Sequence, residues 1–224
     1  MAHQLILFDI DGTLVRRAGP HHRQALVDAV RAVTGRESTT EGIPVQGMLD
    51  PVILACMMQA AGMEAASITV AMPRVIEAAQ DFYQMGVPDL TDKMCPGVVP
   101  LLEHLSGQGR VLALVTGNLT RIGWHKLSRA GIDRYFRFGA FGEMAPTRGG
   151  LAKLAIAKAL AESLIQPGDP VALIGDAPQD IEAAREAGAV AISVRTGISD
   201  PAVLEALGPD LLIEDLDCLD REFI

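Results

Sequence analysis

LILFDIDGTLV, residues 5–15, begins with four apolar residues that run directly into two carboxylates, Asp9 and Asp11. A continuous apolar run of this kind is typical of a strand in a parallel sheet, buried on both faces. Gly12 and Thr13 then favour a turn. Because ligands of open α/β sheets bind outside the carboxyl ends of the strands, this stretch predicts a ligand site around the two acids.

Further apolar runs of strand length follow along the chain, and amphipathic helical segments separate them. The predicted strands lie within residues 110–118, 135–143, 169–180, 189–197 and 209–215. Strands that alternate with helices indicate βαβ units and a parallel sheet with helices on both faces. The predicted fold class is therefore α/β, with a Rossmann-like three-layer core.

The alternation stops between the first and second predicted strands. Three amphipathic helices are predicted there instead, within residues 21–35, 49–63 and 73–86. In the second of them Asp50 is the predicted N-cap and Pro51 the first helical residue. We therefore predict a core domain of residues 1–14 and 92–224, and an inserted α-helical domain of residues 15–91.

The composition is that of a globular protein and excludes several classes of function. Hydrophobic residues make up 49% of the chain and aromatic residues only 4%, so the predicted core is aliphatic. The net charge of -9 and the absence of a basic run exclude nucleic-acid binding. Three widely spaced cysteines predict free thiols, and no apolar run has the length of a membrane span. A cytoplasmic location is expected, and the oligomeric state is left open between monomer and dimer.

Acidic residues follow two of the predicted strands. Asp9 and Asp11 end the first strand, and Asp176 and Asp180 follow the strand within 169–180. Several carboxylates at one sheet edge repel one another, so a divalent cation is expected among them. Oxygen ligands without a nearby histidine or cysteine favour a hard ion, and Mg²⁺ is the predicted cofactor.

Donors for an anion come from two other strand ends. Thr116, Gly117 and Asn118 offer a hydroxyl and main-chain N–H groups before a predicted helix, and Arg148 offers a fixed positive charge. A metal, anion donors and a cation together suit a phosphoryl group. Asp9 is then the predicted nucleophile, which forms an aspartyl-phosphate. The predicted partner is a small phosphorylated metabolite.

Asp11 has a different predicted role from its neighbour. Side chains two residues apart on an extended strand share a face, so both acids can meet the substrate once the chain turns. Asp11 is expected to protonate the leaving alkoxide and later to deprotonate the attacking water.

The motifs DIDGTL, VTGN and GDAPQD, in this order, resemble those of the haloacid dehalogenase-like hydrolase superfamily, in its phosphoglycolate phosphatase and β-phosphoglucomutase-like branch. The resemblance covers the whole chain and implies that the inserted helices form a cap domain. It implies Mg²⁺ held by Asp9, the backbone carbonyl of Asp11 and Asp176, with Asp180 supporting the metal waters. It also implies phosphate binding by Thr116 and Asn118.

The third motif of this superfamily usually carries a lysine. Here FGEMAPTRGGL, residues 141–151, has Arg148 at the expected place, and Lys153 is the alternative. Arg148 is preferred because Lys153 falls inside a predicted helix.

The leading function is a Mg²⁺-dependent phosphatase that hydrolyses a small phosphate monoester through an aspartyl-phosphate. The alternatives are a phosphosugar mutase of the β-phosphoglucomutase type, which uses the same intermediate, and a non-catalytic regulatory protein that binds Mg²⁺ and phosphate.

Four charged or titratable residues near the first motif have simpler interpretations. His21 and His22 lie on a predicted helix, and a solvated face is expected for them. Arg16 and Arg17 either meet an anionic substrate or are surface charges.

Overall fold

The computed structural model describes residues 5–16 and 20–220 and contains one sheet of six parallel strands. The strands are β1 (Leu5–Phe8), β2 (Val111–Val115), β3 (Phe138–Ala140), β4 (Val171–Gly175), β5 (Val190–Val194) and β6 (Leu211–Ile213). Their order across the sheet is β3-β2-β1-β4-β5-β6. The predicted α/β fold with a parallel sheet is confirmed.

Eight α-helices connect the strands or lie between them in the described residues. They are α1 (His21–Thr34), α2 (Asp50–Ala60), α3 (Ala65–Gly86), α4 (Val98–Gly107), α5 (Thr120–Ala130), α6 (Arg148–Ala161), α7 (Pro178–Ala187) and α8 (Pro201–Leu207). Alternate residues of β1 face opposite sides of the sheet, as the period of a strand requires. Ile6 and Phe8 pack with α4 and α5, whereas Leu5 and Leu7 pack with α6 and α7. The core therefore has three layers.

The central strand, β1, determines where a ligand can bind. It pairs with β2 on one side and β4 on the other, with Phe8 in register with both Leu114 and Ile174. The chain crosses to opposite sides of β1 after it builds β3, so the order of strands reverses there. A crevice opens at such a point outside the carboxyl ends of the strands. The residues that follow Phe8, Val115 and Gly175 consequently lie side by side.

Helices α1–α3 and the segments that join them, which we call the helical block, have a hydrophobic cluster of their own. Leu54, Met57 and Tyr83 belong to it, and Leu119 and Ile122 of the core side extend it. This cluster matches the predicted helical insertion, whereas its division from the core at residues 15–91 stays a prediction.

One predicted helix boundary in the helical block is wrong. Helix α3 begins at Ala65 and carries Pro73 in its interior, whereas the sequence predicted a start at Pro73. Proline is favoured in the first turn of a helix and disfavoured further in, so the sequence signal pointed to the wrong place.

The cysteines and helices agree with the other expectations from composition. Cys56, Cys95 and Cys218 are free thiols. Among the described residues, no helix combines the length and the apolar character that crossing a membrane requires. The cytoplasmic location stays a prediction.

Candidate active site

The turn after β1 brings Asp9 and Asp11 to the edge of the sheet. The main-chain N–H of Asp9 donates to the carbonyl of Ile174 at 3.0 Å, which continues the pairing of β1 with β4. Gly12 then adopts a φ of 89°, a left-handed conformation that glycine tolerates best. Asp9 is 4% exposed, whereas the side chain of Asp11 is 36% exposed. The two acids therefore have different surroundings although one residue separates them.

A cluster of carboxylates surrounds Asp9. Asp9, Asp176 and Asp180 are all buried, and one oxygen of each lies within 4.8 Å of the others. Arg148, the first residue of α6, reaches them from the side: its Nη1 atom lies 2.9 Å from Asp9 Oδ1 and 2.6 Å from Asp180 Oδ1. Asp180 Oδ2 accepts from the main-chain N–H of Ala177 at 3.0 Å. The cluster thus holds three acids against one guanidinium.

The pKa values reflect this surplus of negative charge. Burial raises the pKa of Asp9 to about 6, with Arg148 opposing the rise and Asp180 adding to it. Burial and the neighbouring Asp9 raise the pKa of Asp176 to about 8. Burial alone would lower the pKa of Arg148, but Asp180 and Asp9 raise it above its usual value, so it stays charged. One guanidinium therefore does not neutralise the cluster.

The chemistry of this donor set fits a hard divalent cation. Three carboxylates that meet within one small volume are ligands that Mg²⁺ prefers. A cation there would stabilise the ionised carboxylates, which burial and mutual repulsion disfavour. Among the four predicted metal residues, only Asp11 has its carboxylate outside the cluster. Its side chain contacts Lys126 instead. Its backbone carbonyl stays the predicted ligand.

Backbone packing restricts the space around Asp176. A Cβ atom at Gly197 would lie 1.6 Å from Asp176 Oδ2, and one at Gly12 would lie 2.5 Å from it. Ser199 Oγ donates to the carbonyl of Asp176 at 2.6 Å, and Gln46 Nε2 of the helical block donates to Ser199 Oγ at 2.7 Å. The two glycines therefore leave the space that the carboxylate of Asp176 occupies, and Ser199 joins the main chain at Asp176 to the helical block.

The segment after β2 connects the two acids. Thr116 and Asn118 are 0% and 4% exposed. Asn118 Nδ2 donates to Thr116 Oγ1 at 2.7 Å and to Asp11 Oδ2 at 2.8 Å. The carbonyl of Gly117 accepts from the main-chain N–H of Asp50 at 2.8 Å. The predicted phosphate-binding residues thus lie beside both acids, and Asn118 joins Asp11 to Thr116.

Lys126, which the sequence analysis missed, lies at the centre of the Asp11 side of the site. Its Nζ atom is 2.7 and 2.6 Å from the two carboxylate oxygens of Asp11 and 2.7 Å from Asn118 Oδ1. Lys126 is only 2% exposed. Burial opposes the ionisation of Asp11, but the charge and hydrogen bonds of Lys126 outweigh it, and the pKa of Asp11 stays below its usual value. These surroundings therefore favour the ionised form of Asp11.

His22 and Asp50 extend these contacts into the helical block. His22 Nδ1 lies 3.2 Å from Lys126 Nζ, and His22 Nε2 lies 2.9 Å from Asp50 Oδ2. The same Asp50 oxygen accepts from the main-chain N–H of Leu119 at 2.9 Å. The expectation of a solvated face is wrong for His22, whose side chain is 25% exposed.

The predicted cap at Asp50 is also wrong. Helix α2 begins at Asp50 with Leu49 as N-cap and without a capping side chain. The carboxylate of Asp50 is 3% exposed and has its partners across the site, at His22 and Leu119, rather than in its own helix.

A cavity of about 760 Å³ lies between the strand ends and the helical block. Asp9, Asp11 and Asp176 line its floor, and Gln46 and Asp50 line the opposite side. This volume suits a small metabolite rather than a polymer.

The basic candidates occupy different places. Arg148 is 8% exposed and contacts Asp9, whereas Lys153 is exposed and pairs with Glu186 at 2.9 Å. The geometry therefore favours Arg148 as the third-motif residue. Arg16 lines the cavity, and Arg17 lies outside the described residues.

Comparison with known proteins identifies the family. The family model described as haloacid dehalogenase-like hydrolase matches residues 3–188. The chain belongs to this family. Among curated relatives of this hydrolase, a probable phosphatase named IndB from Dickeya dadantii is 28% identical over 221 residues, which cover 94% of this chain and 89% of the relative. A phosphoglycolate phosphatase from Pseudomonas fluorescens is 27% identical over 224 residues, which cover 96% and 78%.

Solved structures of similar fold extend over the full length of this haloacid dehalogenase-like hydrolase. A β-phosphoglucomutase from Clostridium difficile has a TM-score of 0.74 at 18% identity and covers 99% of this chain and 95% of its own. CbbY from Rhodobacter sphaeroides, in complex with phosphate, has a TM-score of 0.68 at 20% identity, with coverage of 97% and 96%. At this level of identity the likeness supports the fold alone.

The resemblance found in the sequence is confirmed at the level of the superfamily. Phosphoglycolate phosphatases are among the curated relatives of the chain. The chain is an enzyme of the hydrolase class. The eight predicted site residues meet in one region of the hydrolase, and their individual roles stay predictions. A lysine on the buried face of α5 was the available signal for Lys126, because that face also carries Ile122, Leu127 and Ala130.

Proposed function

We propose that this chain is a Mg²⁺-dependent phosphatase that hydrolyses a small phosphate monoester through an aspartyl-phosphate on Asp9. The observation that carries the proposal is the position of Asp9: it lies in the carboxylate cluster, beside Arg148 and Thr116, at the floor of the cavity. The names of the curated relatives support a phosphatase, and the cavity supports a small substrate.

The first half of the reaction transfers the phosphoryl group to the enzyme. A carboxylate oxygen of Asp9 forms a bond to phosphorus, and the bond between phosphorus and the ester oxygen breaks. Asp11 gives a proton to the departing oxygen. Arg148 holds Asp9 in place and adds positive charge beside the transferred group. Mg²⁺, held by Asp9, Asp176 and the backbone carbonyl of Asp11 with support from Asp180, would neutralise charge on the phosphoryl oxygens.

Asp11 must carry a proton for this half, although Lys126 favours its ionised form. The substrate itself opposes Lys126: a phosphate group beside Asp11 adds negative charge, which raises the pKa of a nearby carboxyl group. A phosphate monoanion can also bring the proton into the site.

The second half of the reaction releases inorganic phosphate. Water attacks phosphorus, Asp11 takes a proton from that water, and the bond between phosphorus and Asp9 breaks. The ionised form of Asp11 is the one this half requires, and it is the form that Lys126 stabilises. The site then returns to its starting state.

The experiment is a phosphate-release screen over phosphoglycolate, sugar phosphates, nucleotides and para-nitrophenyl phosphate, with Mg²⁺ and with excess EDTA. We expect turnover of at least one small monoester that EDTA abolishes. Asp9→Asn should lower the rate by about 10³-fold or more. Asp89→Asn is the matched control, because Asp89 is exposed and bonds to Thr91.

Other results of the same screen would contradict the proposal. Isomerisation of a sugar phosphate without free phosphate would indicate a mutase. Binding of Mg²⁺ and phosphate without any turnover would indicate a regulatory protein. Full activity of Asp9→Asn would exclude Asp9 as the nucleophile.

A further inference from the structure

Lys126 is a charged residue in an apolar position. It lies on the buried face of α5, together with Ile122 and Leu127, and its side chain is 2% exposed. Burying an ammonium group is strongly unfavourable unless the group is paired and hydrogen-bonded, and an aliphatic side chain would fill this place at lower cost. The lysine therefore has a reason other than packing to be there.

The ammonium group of Lys126 has no donor to spare for a substrate. Lysine has three N–H donors, and Nζ has four acceptor atoms within 3.2 Å: both oxygens of Asp11, Asn118 Oδ1 and His22 Nδ1. A phosphate that approached Lys126 would have to displace one of these partners. Lys126 is thus placed to act on the site through Asp11 and Asn118.

The helical block fixes Lys126 from the opposite side. Asp50 Oδ2 accepts from His22 Nε2, which assigns the ring proton of His22 to Nε2 and leaves the lone pair of Nδ1 directed at Lys126. The ring of Tyr83 packs edge-on against His22 with a centroid distance of 5.8 Å. These contacts hold the imidazole in one orientation.

We propose that Lys126 is a positioning residue for Asp11, and that His22 and Asp50 of the helical block hold Lys126 in the geometry this requires. The proposal rests on the proposed function, because it assigns Asp11 the transfer of the proton. Asp11 needs such support: its side chain is 36% exposed, and the residue lies beyond the end of β1 and directly before the turn at Gly12, so the strand does not fix its rotamer. Displacement of a catalytic group by about 1 Å can cost about 10²-fold in rate.

The first test compares Lys126→Met with Lys158→Met. Met keeps the length of the buried side chain and removes the charge, and Lys158 is a partly exposed lysine that pairs with Glu162 on the surface of α6. We expect Lys126→Met to lower kcat about 30- to 100-fold. KM, and the Kd of inorganic phosphate measured by calorimetry with Mg²⁺, should change less than about threefold, because Lys126 has no free donor for phosphate. Lys158→Met should match the wild type.

The second test is a double-mutant cycle with Asp11→Asn. If Lys126 acts through Asp11, the double variant is as slow as Asp11→Asn alone. Rates of the slow variants are measured by single turnover at high enzyme concentration. His22→Phe keeps the ring contact with Tyr83 and removes both nitrogens, and it should lower kcat about 3- to 10-fold in the same non-additive way. It tests the proposal independently if Lys126→Met does not fold.

Three outcomes overturn the inference. The first is a rise of tenfold or more in the phosphate Kd of Lys126→Met, which would mean that Lys126 binds the substrate directly. The second is a multiplicative loss of rate in the double variant, which would mean that Lys126 and Asp11 act independently. The third is an unchanged kcat in both Lys126→Met and His22→Phe. A wild-type enzyme without turnover of any phosphate ester would instead remove the proposed function itself.

Discussion

The two sides of the site differ in how their charges are balanced. The acidic side consists of Asp9, Asp176, Asp180 and Arg148, with three carboxylates and one cation, and two of its carboxylates have raised pKa values. On the paired side, which consists of Asp11, Lys126, His22 and Asp50, Asp11 has a cation of its own and a lowered pKa. On the paired side, the protein thus supplies the cation for Asp11 from its own side chains. The acidic side keeps an excess of negative charge, and this excess suits a metal ion.

Asp176→Asn should produce the largest difference between the sides. Loss of one carboxylate from the acidic side removes a predicted metal ligand, so kcat/KM should fall by about 10³-fold. We expect Mg²⁺ to raise the melting temperature of the wild type, and this rise should disappear in Asp176→Asn. The measurements are phosphate release and thermal unfolding with and without MgCl₂.

Asp133→Asn, a change at an exposed aspartate, serves as its control. If Asp176→Asn is still stabilised by Mg²⁺ as the wild type is, the metal site does not lie on the acidic side.

Arg148→Met and Lys153→Met separate the two basic candidates of the third motif. Arg148 is buried between Asp9 and Asp180, and breaking a buried ion pair leaves uncompensated charge, so we expect a loss of about 3 kcal/mol in unfolding free energy and of about 10²-fold in activity. Lys153 forms an exposed pair worth less than about 1 kcal/mol. Urea unfolding of the metal-free proteins and phosphate release measure both effects. A greater loss in Lys153→Met would reverse the assignment.

The smallest predicted effect is the pH dependence of stabilisation by Mg²⁺. The pKa values of Asp9 and Asp176 rise from 3.8 in the unfolded chain to about 6 and about 8 in the metal-free fold. Between these limits the folded state binds more protons, so its stability falls as the pH increases from about 4 to 8. The proposed Mg²⁺ would bind the ionised carboxylates and would therefore compete with those protons.

The shift in melting temperature caused by Mg²⁺ should therefore be larger at pH 8 than at pH 5, by about 2–4 °C per kcal/mol gained. Differential scanning calorimetry at both values measures it. An equal or larger shift at pH 5 would mean that protons do not compete at this site.

The sequence predicted the acidic side much better than the paired side. Asp9 and Asp176 follow apolar runs that can be recognised as parallel strands, and strand ends meet at one edge of the sheet whatever the details of packing. Arg148 was found from its place in the third motif. The ends of the strands and the third motif therefore indicated where these residues lie, without knowledge of any side-chain contact.

The paired side depends on tertiary packing that a linear pattern does not contain. Lys126 and His22 lie on different helices and are 104 positions apart in the sequence. The contact between them depends on how α1 and α5 are packed relative to each other. Asp50 matched the pattern of a helix N-cap. This local interpretation left no reason to expect a long-range partner for its carboxylate. Only the lysine on the apolar face of α5 offered a signal, because a buried lysine requires a partner.

One of the contacts between the helical block and the core, at Gly117, consists of main-chain atoms. The N–H of Asp50 donates to the carbonyl of Gly117, and a Cβ atom at Gly117 would lie 2.4 Å from the carbonyl oxygen of Met48. This contact does not depend on which side chains stand at Gln46 or Met48. Over evolution, the side chain at position 48 can therefore change while the two parts stay in register. Position 117 has no such freedom, because any side chain there would separate them.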